Sequence, residues 1–337
     1  MPSVIIIGAG LSGLACANVL AGRGWSVTVV DKARGVGGRL ATRRIGSASF
    51  DTGAQFFTVR DAAFAAAVAD WERAGVVARW CDGFPALGGS AVPDGHPRWR
   101  AIGGMNALAK HLARGLAVRD RRLATTLTME ANGWRVGVAA VDEADPGRVE
   151  EIRADAVVLT APVQQAIALL EASHLPVDPR LRAVRYDPCC CLLVDLPEAV
   201  DAVLPAPGGL RVEGDPAISW ICSQRAKGLR AAGDGLIVHA RGAWSGERVD
   251  RDDRTVLAEL LPAARSLWTR LGVIATSGEI QLKRWRYSLP TACVAEASLR
   301  MAVPSPLVLA GDAFGERPRM EGAWLSGVAA AESLTAR

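Results

Sequence analysis

The start of the chain combines two short apolar runs with a helical pattern between them. Residues 4–7 and 27–30 are continuous runs of mostly β-branched residues, typical of strands buried on both faces of a parallel sheet. Between them, Leu11 to Arg23 carries apolar residues at helical spacing. Strand, helix and strand in this order predict a β-α-β unit, in which a right-handed crossover makes the two strands parallel neighbours.

The rest of the chain alternates between strand-like and helical segments, without an internal repeat or a clear linker. Strands are predicted over 121–129, 134–139 and 149–152, as an antiparallel meander, and over 155–160, 281–287 and 307–310. Helices are predicted over 61–74, 104–114, 251–271 and 322–336, and loops over 81–97 and 205–209. Since no linker is visible, we expect a second domain inserted into the first.

Composition excludes several classes of protein. The 337 residues are 50% apolar and 22% charged, which allows a sizeable core and excludes a disordered or fibrous chain. At about 150 residues per domain, this length predicts two domains. The net charge of +4 is too small and too dispersed for a nucleic-acid binder.

Cysteine usage and hydropathy predict the setting of the protein. The seven cysteines form no C-x-x-C pair and three are adjacent, which argues against a disulfide framework and a zinc site. We therefore expect no bound metal and a reduced, cytoplasmic location. Residues 4–22 carry no charge, but no basic residue precedes them and four glycines interrupt them. They do not resemble a signal peptide or a membrane span, so we expect a soluble protein without a membrane partner.

A glycine-rich motif lies between the first predicted strand and helix. Residues 8–13 read Gly-Ala-Gly-Leu-Ser-Gly and match G-x-G-x-x-G. The three glycines permit a tight turn, close approach of a pyrophosphate to the backbone, and close packing of helix on strand. An acidic residue ends the second strand 18 residues later, where a carboxylate accepts hydrogen bonds from a ribose. The predicted dinucleotide contacts are Gly8, Gly10, Leu11, Ser12, Gly13, Asp31 and Lys32.

A second glycine pair and an arginine follow at residues 37–39, and dehydrogenases that bind only NAD do not need them. This stretch resembles the extended fingerprint of FAD-binding proteins of the amine-oxidase and glutathione-reductase-2 type. In those families the Gly-Gly-Arg segment touches the pyrophosphate, which implies that role for Gly38 and Arg39. A flavin disulfide reductase is disfavoured, because the sequence has one such fingerprint and no redox cysteine pair.

The C-terminal region resembles the same flavoproteins. The predicted strand over 307–310 ends in Gly-Asp, and residues 321–327 (Glu-Gly-Ala-Trp-Leu-Ser-Gly) suit the start of a helix. In those proteins the Gly-Asp pair binds the ribityl and pyrophosphate end of FAD, and the next helix N-terminus faces the flavin. The resemblance implies FAD contacts at Gly311, Asp312, Glu321, Gly322 and Ala323.

Blocks along almost the whole chain resemble the renalase family. They are residues 34–44, 50–58 (Phe-Asp-Thr-Gly-Ala-Gln-Phe-Phe-Thr), 103–106 (Gly-Gly-Met-Asn), 284–288 (Arg-Trp-Arg-Tyr-Ser), 311–312 and 321–327. The resemblance implies noncovalent FAD and oxidation of the 2- and 6-dihydro isomers of NAD(P)H to NAD(P)⁺. It further implies hydride transfer to flavin N5 and reoxidation by O₂ to H₂O₂, so the partners are a dihydronicotinamide nucleotide and O₂.

The resemblance also implies roles for individual residues. Gln55 and Phe56 would lie beside the isoalloxazine, Gly104 and Met105 would start a helix near the ring, and Leu123 would contact adenine from the meander.

Three residues of one predicted strand are the candidate catalytic side chains. Trp285 and Tyr287 alternate onto one face with Lys283. The two aromatic residues could wall the substrate pocket, although the stripe could equally pack within a sheet. Lys283 is similar to the strand lysine that faces flavin N5 through water in amine oxidases. No Ser/His/Asp set is evident, which agrees with chemistry carried by a flavin.

Two other functions stay open at this point. One is an amine oxidase or desaturase-like flavoenzyme, which shares the FAD domain but handles a neutral amine or a greasy substrate. The other is a flavin-binding sensor without turnover.

The predicted fold class is mixed α/β, with a Rossmann-like FAD-binding domain and an inserted mixed-sheet substrate domain, similar to p-hydroxybenzoate hydroxylase and amine oxidase. The FAD-binding domain is expected over 1–60, 97–162 and 300–337. The smaller substrate domain is expected over 61–96 and 163–299.

Overall fold

A computed structural model describes residues 1–46, 48–87, 93–141, 149–196, 204–229, 233–272 and 278–336. The strands are β1 (Ser3–Ile7), β2 (Ser26–Val30), β3 (Thr42–Ile45), β4 (Ala48–Asp51), β5 (Val77–Cys81), β6 (Arg98–Ala101), β7 (Ala117–Arg119), β8 (Arg122–Glu130), β9 (Gly133–Ala140), β10 (Val149–Ala154), β11 (Ala156–Leu159), β12 (Arg185–Leu196), β13 (Gly209–Arg211), β14 (Ile218–Ser223), β15 (Asp234–Ala240), β16 (Ile280–Ala292), β17 (Leu299–Arg300) and β18 (Leu307–Leu309). The helices are α1 (Leu11–Gly22), α2 (Ala62–Arg73), α3 (Asn106–Leu112), α4 (Val163–Ala172), α5 (Pro179–Arg182), α6 (Gly242–Gly246), α7 (Asp253–Arg270) and α8 (Met320–Thr335).

The chain forms two compact units, each discontinuous in sequence. Unit 1 comprises Met1–Gly38, Ala109–Arg185 and Pro290–Arg337, and unit 2 comprises Arg39–Leu108 and Tyr186–Leu289. These boundaries differ from the expected domains, because 39–60 and 97–108 belong to unit 2 and 163–185 and 290–299 to unit 1. The two units are of similar size.

Unit 1 is built on a six-stranded sheet in the order β17-β18-β11-β1-β2-β7. β1 pairs in parallel with β2 and β11, and β2 and β11 pair in parallel with β7 and β18. The edge strand β17 runs antiparallel to β18. Ile5 lies between Thr28 and Val157, which confirms the predicted β-α-β unit. Because the carboxyl ends of parallel strands meet at one edge of a sheet, the turns after β1, β11 and β18 lie together there.

The meander and α4 complete unit 1. β8, β9 and β10 form a three-stranded antiparallel sheet, as predicted. The Trp134 indole donates to the Pro306 carbonyl at 3.0 Å, which ties β9 to the residue before β18. The Ser173 hydroxyl accepts a hydrogen bond from the Leu127 amide at 2.8 Å. This bond fixes the end of α4 to β8 and explains why residues 163–185 belong to unit 1.

Unit 2 contains a five-stranded sheet in the order β13-β14-β15-β12-β16. Alternate residues of β12, such as Cys190 and Leu192, share a buried core with Val256 and Leu260 of α7. Helix α7 therefore covers one face of this sheet. The helix begins after Asp252, whose carboxylate accepts from the Thr255 amide, and it holds Pro262 in its interior.

The opposite face of the unit 2 sheet meets the β3–β4 hairpin. Ile45, Ala48 and Phe50 form a buried cluster with Leu193 of β12. A Cβ on Gly235 of β15 would lie 2.6 Å from the Phe50 ring, so glycine allows this close packing. The hairpin thus buries its apolar side against this sheet, which explains why residues 39–60 belong to unit 2.

Most of the other predicted elements are confirmed with shifted ends. The predicted helices over 61–74 and 251–271 correspond to α2 and α7, whereas the predicted helix over 104–114 shortens to α3. The C-terminal helix begins two residues before its predicted start. Among the helices of the described ranges, none is long and apolar enough to cross a membrane.

Candidate functional site

The turn after β1 has the geometry that the glycine motif predicts. Gly8 has φ 116°, a left-handed conformation that favours glycine. A Cβ on Gly13 would lie 2.0 Å from the Gly8 carbonyl oxygen, so glycine is required for the helix to pack on the turn. A Cβ on Gly10, in contrast, would meet nothing within 4 Å. Gly10 therefore leaves open space at the N-terminus of α1, as a bound pyrophosphate requires.

Thr160 supports this turn from the end of β11. Its hydroxyl lies 3.1 Å from the Ile7 carbonyl oxygen and 3.0 Å from that of Gly8, so it can donate to either. Thr160 had no role in the sequence analysis. The sequence nevertheless contains a signal for it. Thr160 is a polar residue at the end of a predicted strand, and the ends of neighbouring parallel strands lie side by side.

The Asp31 carboxylate braces the loops at the end of β2. One oxygen accepts from the Ala9 amide and the other from the Ala33 amide, both at 2.7 Å. A carboxylate has about four acceptor sites, so capacity remains for ribose hydroxyls. The neighbouring Lys32 ammonium donates to the Gln165 side chain at 3.1 Å. The predicted contacts of Asp31 and Lys32 with a cofactor stay predictions.

The second glycine pair lies against the first glycine turn. The Gly37 amide donates to the Ala9 carbonyl at 2.8 Å, and Gly10 and Gly37 form a β-bridge. A Cβ on Gly38, which has φ 52°, would lie 3.7 Å from the Gly10 Cα. The two glycine segments therefore form one surface, which we call the glycine cradle: Gly8–Gly13 with Gly37 and Gly38.

A buried hydroxyl in the glycine cradle fits a phosphate ligand. The Ser12 oxygen is buried and has no hydrogen-bond partner among the described residues. Buried polar groups in proteins are normally paired, so an unpaired one calls for a ligand or a water. Ser12 lies in the first turn of α1, where backbone N–H groups lack intrahelical partners and favour an anion. The residues of the cradle thus fit the pyrophosphate of a dinucleotide.

The C-terminal candidates assemble next to the cradle in unit 1. The Gly311 amide donates to the Ser326 hydroxyl at 2.9 Å, which joins the end of β18 to α8. A Cβ on Gly327 would lie 2.1 Å from the Ser12 carbonyl oxygen, so glycine lets α8 pack on α1. Glycine is also required at position 322. A Cβ on Gly322 would lie 1.6 Å from the Arg317 carbonyl oxygen.

The remaining unit 1 candidates differ in how far they are buried. Asp312 and Glu321 are buried, and Glu321 forms an ion pair with Arg317 at 3.5 Å. Ala323 lies in the first turn of α8, where its amide donates to the Arg319 carbonyl at 2.9 Å. Leu123 is 44% exposed on β8, unusual for a leucine in a strand. An exposed apolar side chain of this kind is free to meet an adenine ring, so the predicted contact stays open.

Unit 2 holds a polar network around Asp51, and the ion pair at its centre is fully buried. One carboxylate oxygen of Asp51 accepts from the Thr42 hydroxyl at 2.5 Å and from the Met105 amide at 2.7 Å. The other oxygen accepts from the Lys227 ammonium at 2.5 Å. Both side chains of this ion pair are 0% exposed. We call Asp51, Lys227 and their hydrogen-bonded neighbours the Asp51 network.

The Asp51 network joins segments that are far apart in sequence. The Asp51 amide donates to the Gln224 side chain at 2.9 Å, and Gln224 donates to the Gln55 side chain at 3.3 Å. Gln55 in turn donates to the Asp51 and Gly53 carbonyls at 2.5 and 3.0 Å. Gln55, buried and predicted beside the isoalloxazine, therefore holds the turn after β4 in shape.

Lys227 reaches Asp51 from a tight turn that follows β14. Asp234 organises this turn, because its carboxylate accepts from the Ser223 hydroxyl at 2.5 Å and from the Arg225 amide at 2.9 Å. The Lys227 amide then donates to the Ser223 carbonyl at 3.1 Å. Lys227 belongs to no sequence motif that indicates a role, although it is one of four lysines in a chain rich in arginine.

Met105 and Gly104 are placed by the same network. Met105 is fully buried immediately before α3, where its amide bonds Asp51. Gly104 has φ 113°, and a Cβ there would lie 2.7 Å from the Thr42 hydroxyl. The two residues do precede a helix, as predicted. Their contact with a flavin stays a prediction.

Phe56 lies in an aromatic cluster on the sheet face that α7 leaves uncovered. Its ring centroid is 4.8 Å from that of Phe84 and 5.8 Å from that of Trp220. Trp220 pairs across strands with His239, and the indole Nε1 and imidazole Nε2 are buried without partners among the described residues. Burial, and to a lesser degree the Lys227 charge, lowers the pKa of His239 to about 4, so its ring is neutral at pH 7.

The three candidates on β16 do share a face. The Lys283 ammonium lies 4.5 Å from the Trp285 ring centroid, and the Trp285 indole donates to the Thr52 carbonyl at 2.6 Å. Tyr287 packs edge-on against Tyr186 with centroids 5.7 Å apart. All three candidates are half-buried. The predicted alternation is confirmed, while their catalytic roles stay a prediction.

Arg39 belongs to unit 2, beside these aromatic residues. Its guanidinium donates to the Tyr287 and Ser288 carbonyls at 3.3 and 3.2 Å and lies 5.9 Å from the Tyr186 ring centroid. The predicted contact of Arg39 with a pyrophosphate stays a prediction.

Comparison with known proteins identifies the family. A model of the NAD(P)-binding Rossmann-like domain matches residues 6–70, and a model of flavin containing amine oxidoreductase matches residues 87–335. The chain belongs to the flavin containing amine oxidoreductase family. It is therefore an oxidoreductase, and FAD is its cofactor.

Two further similarities agree with this assignment. A 72-residue stretch is 44% identical to hydroxyneurosporene desaturase from Rubrivivax gelatinosus, and it covers 20% of this chain and 14% of that protein. The crystal structure of a candidate protoporphyrinogen oxidase from Exiguobacterium sp. 255-15 matches with a TM-score of 0.71 at 14% identity, over 99% of this chain and 98% of that one. This structural similarity confirms the predicted mixed α/β fold and, at such low identity, carries no more than the fold.

Proposed function

We propose that this protein oxidises a small organic substrate with FAD, in the manner of amine oxidases or desaturases. The observation that carries the proposal is the glycine cradle, where the space at Gly10 and the unpaired Ser12 hydroxyl fit a pyrophosphate. The family match, which extends to residue 335, supports the same reading. The similarity to a desaturase over part of the chain favours removal of hydrogen from a carbon skeleton.

The chain's own residues would bind and position rather than exchange protons. Bound FAD would supply the redox chemistry by accepting a hydride at N5. In unit 1 the cradle would hold the pyrophosphate on the N-terminus of α1, and Asp31 would accept hydrogen bonds from ribose hydroxyls. In unit 2 the aromatic side chains Phe56, Trp285 and Tyr287 would exclude water and orient the substrate. Reoxidation by O₂ to H₂O₂ is part of this proposal.

A second candidate function is oxidation of the 2- and 6-dihydro isomers of NAD(P)H. The observation that favours it is the set of renalase-like blocks, above all Phe50–Thr58. The Asp51 network holds this block by buried bonds from Gln55 and Gln224, which gives its turn a defined shape. The similarities to known proteins support the amine-oxidase and desaturase reading better.

An anaerobic spectrum of the purified holoenzyme distinguishes the two candidates. The oxidised flavin band is recorded before and after addition of amines, unsaturated and saturated carboxylic acids, 4-dihydro NADH, and NADH containing its 2- and 6-dihydro isomers. Bleaching by an amine or an acid, followed by H₂O₂ formation when air is admitted, is the result we expect. Bleaching by the dihydro isomers alone would favour the second candidate. A flavin that none of these compounds reduces would contradict both.

A further inference from the structure

The basic residues of β16 differ in their partners. Arg284 forms an ion pair with Asp253 at 2.6 Å, and Arg286 pairs with Asp250. Lys283 lies on the other face of the strand and has no carboxylate partner among the described residues. Since a half-buried charge is normally paired, an unpaired ammonium here indicates a place for an external anion.

The Lys283 ammonium is held in a fixed place by the Trp285 ring. The ammonium lies 4.5 Å from the ring centroid, and the Trp285 indole is itself fixed to the Thr52 carbonyl by a 2.6 Å hydrogen bond. Burial and the nearby Arg43 guanidinium lower the pKa of Lys283, while the Cys191 thiol opposes them weakly. Burial also raises the pKa of Cys191, so this thiol stays neutral and leaves the ammonium uncompensated.

Arg43 approaches the same place from the β3–β4 hairpin. It lies opposite Phe50, and residues on this side of the hairpin pack against Leu193, two positions from Cys191 on β12. By strand alternation, Arg44 points to the other side. Arg43 is exposed, and it forms no ion pair within the part of the chain that the structure describes. β16 lies beside β12, where the Asp195 amide donates to the Glu279 carbonyl at 2.9 Å, so Arg43 and Lys283 lie in the same region of unit 2. Neither cation has a carboxylate partner among the described residues.

Among the described residues, the surrounding side chains offer an apolar surface for the body of a substrate, but no free carboxylate. Trp285 supplies an aromatic ring, and the Asp51 carboxylate is already bound by Lys227 at 2.5 Å. An ammonium substrate would thus meet two like charges at Lys283 and Arg43, which costs free energy, whereas a carboxylate or phosphate would pair with both.

We propose that Lys283 and Arg43 form an anion-binding subsite, which selects substrates that carry a carboxylate or phosphate beside an apolar body and disfavours amines. The role of this subsite in binding a substrate rests on the proposed function. Arginine can bind such an oxyanion with two parallel N–H groups, and the lysine adds a compact positive charge.

Three aromatic probes of matched shape and different charge test the subsite. Benzoate, benzyl alcohol and benzylamine are titrated into the FAD-loaded protein by calorimetry, with the flavin spectrum recorded in parallel. We expect benzoate to bind most tightly and benzylamine most weakly. Lys283→Met and Arg43→Gln should each weaken benzoate about tenfold, the loss expected for a hydrogen bond to a charged group, and leave benzyl alcohol unchanged.

Matched variants make the result specific. Arg44→Gln removes the same charge from the neighbouring position and should leave benzoate binding unchanged, and Lys283→Arg should retain most of the affinity. Benzylamine binding as tightly as benzoate, an unchanged benzoate-to-alcohol ratio in Lys283→Met, or no benzoate binding at millimolar concentration would each overturn the proposal. Loss of FAD from Lys283→Met would also overturn it, because the lysine would then serve the cofactor.

The calorimetric readout needs no turnover. If benzoate binds as expected while no compound reduces the flavin, the proposed function fails and the anion subsite stands. If the flavin is reduced by amines and benzoate does not bind, the subsite fails and the oxidation stands.

Discussion

The glycine cradle of unit 1 and the Asp51 network of unit 2 are built from different parts of the chain. The cradle consists of backbone, with Gly13 packed against the Gly8 carbonyl oxygen within six residues of sequence. The network consists of buried side chains, and its ion pair joins Asp51 to Lys227, 176 residues away. A backbone site of this kind is sensitive to any added Cβ, whereas a buried ionic site is sensitive to loss of a single charge.

This difference predicts different responses to mutation. A substitution in the cradle should weaken cofactor binding more than it lowers the stability of the fold, unless the new Cβ overlaps backbone atoms. A substitution in the network should mainly lower the stability of the fold, because a buried charge that loses its partner has no water to replace it.

The largest expected effect is that of Lys227→Met. The substitution leaves the Asp51 carboxylate buried without its counter-ion, which should lower the free energy of unfolding by about 3–5 kcal/mol. Urea unfolding followed by circular dichroism measures it. The control is Lys110→Met, because Lys110 is exposed on α3 and its loss should change stability by less than about 0.5 kcal/mol. Equal effects of the two substitutions would contradict the importance of the pair.

The double variant Asp51→Asn/Lys227→Met sharpens this test. Removing both charges avoids the unpaired carboxylate, so the double variant should be more stable than Lys227→Met alone. If the two single effects simply add, the residues are not coupled and the network is not a unit.

The next effect is that of Gly13→Ala in the cradle. The new Cβ would lie 2.0 Å from the Gly8 carbonyl oxygen. Relief of this overlap requires a shift of backbone, which should cost about 1–3 kcal/mol and displace the turn that binds the cofactor. Thermal unfolding and the FAD content of the purified protein report the two consequences. Gly22→Ala on the same helix is the control, because a Cβ there meets nothing within 4 Å.

A smaller effect is expected from pH at His239, on the face of the unit 2 sheet opposite α7. Burial holds the pKa of His239 at about 4 in the folded protein, below about 6.5 in an unfolded chain. The unfolded chain therefore binds a proton between these values that the folded chain does not, and stability falls as the pH decreases from 6.5 towards 4. The loss should be about 1–3 kcal/mol. His239→Gln should flatten this part of the stability profile, and an unchanged slope would contradict the assignment.

The sequence predicted the strand, turn and helix that carry the cradle, because these residues are close together along the chain. Gly8, Gly10, Gly13 and Asp31 lie in one β-α-β unit, so the spacing of the glycine motif and the hydrophobic pattern place them. Gly38 lies beside Gly10, and its predicted contact with a pyrophosphate stays a prediction.

The Asp51 network could not be predicted in the same way. Asp51 belongs to the renalase-like block at residues 50–58, but nothing in the order of residues indicates that Lys227 or Gln224 would reach it, because their contact depends on tertiary packing. The division into compact units depends on tertiary packing too, since the β3–β4 hairpin follows the cradle in sequence and yet packs its Phe50 against β12 and β15.

The most direct test of the central claim, that the cradle is the FAD site, is an FAD titration of apo-protein in wild type and Gly10→Ala. Gly10 has an extended conformation that alanine adopts readily, and a Cβ there meets no protein atom within 4 Å. We expect an unchanged thermal unfolding temperature for the apo-proteins and FAD affinity at least about tenfold weaker in Gly10→Ala, because the Cβ would occupy the space of the pyrophosphate. Equal FAD affinities at equal stability would contradict the account.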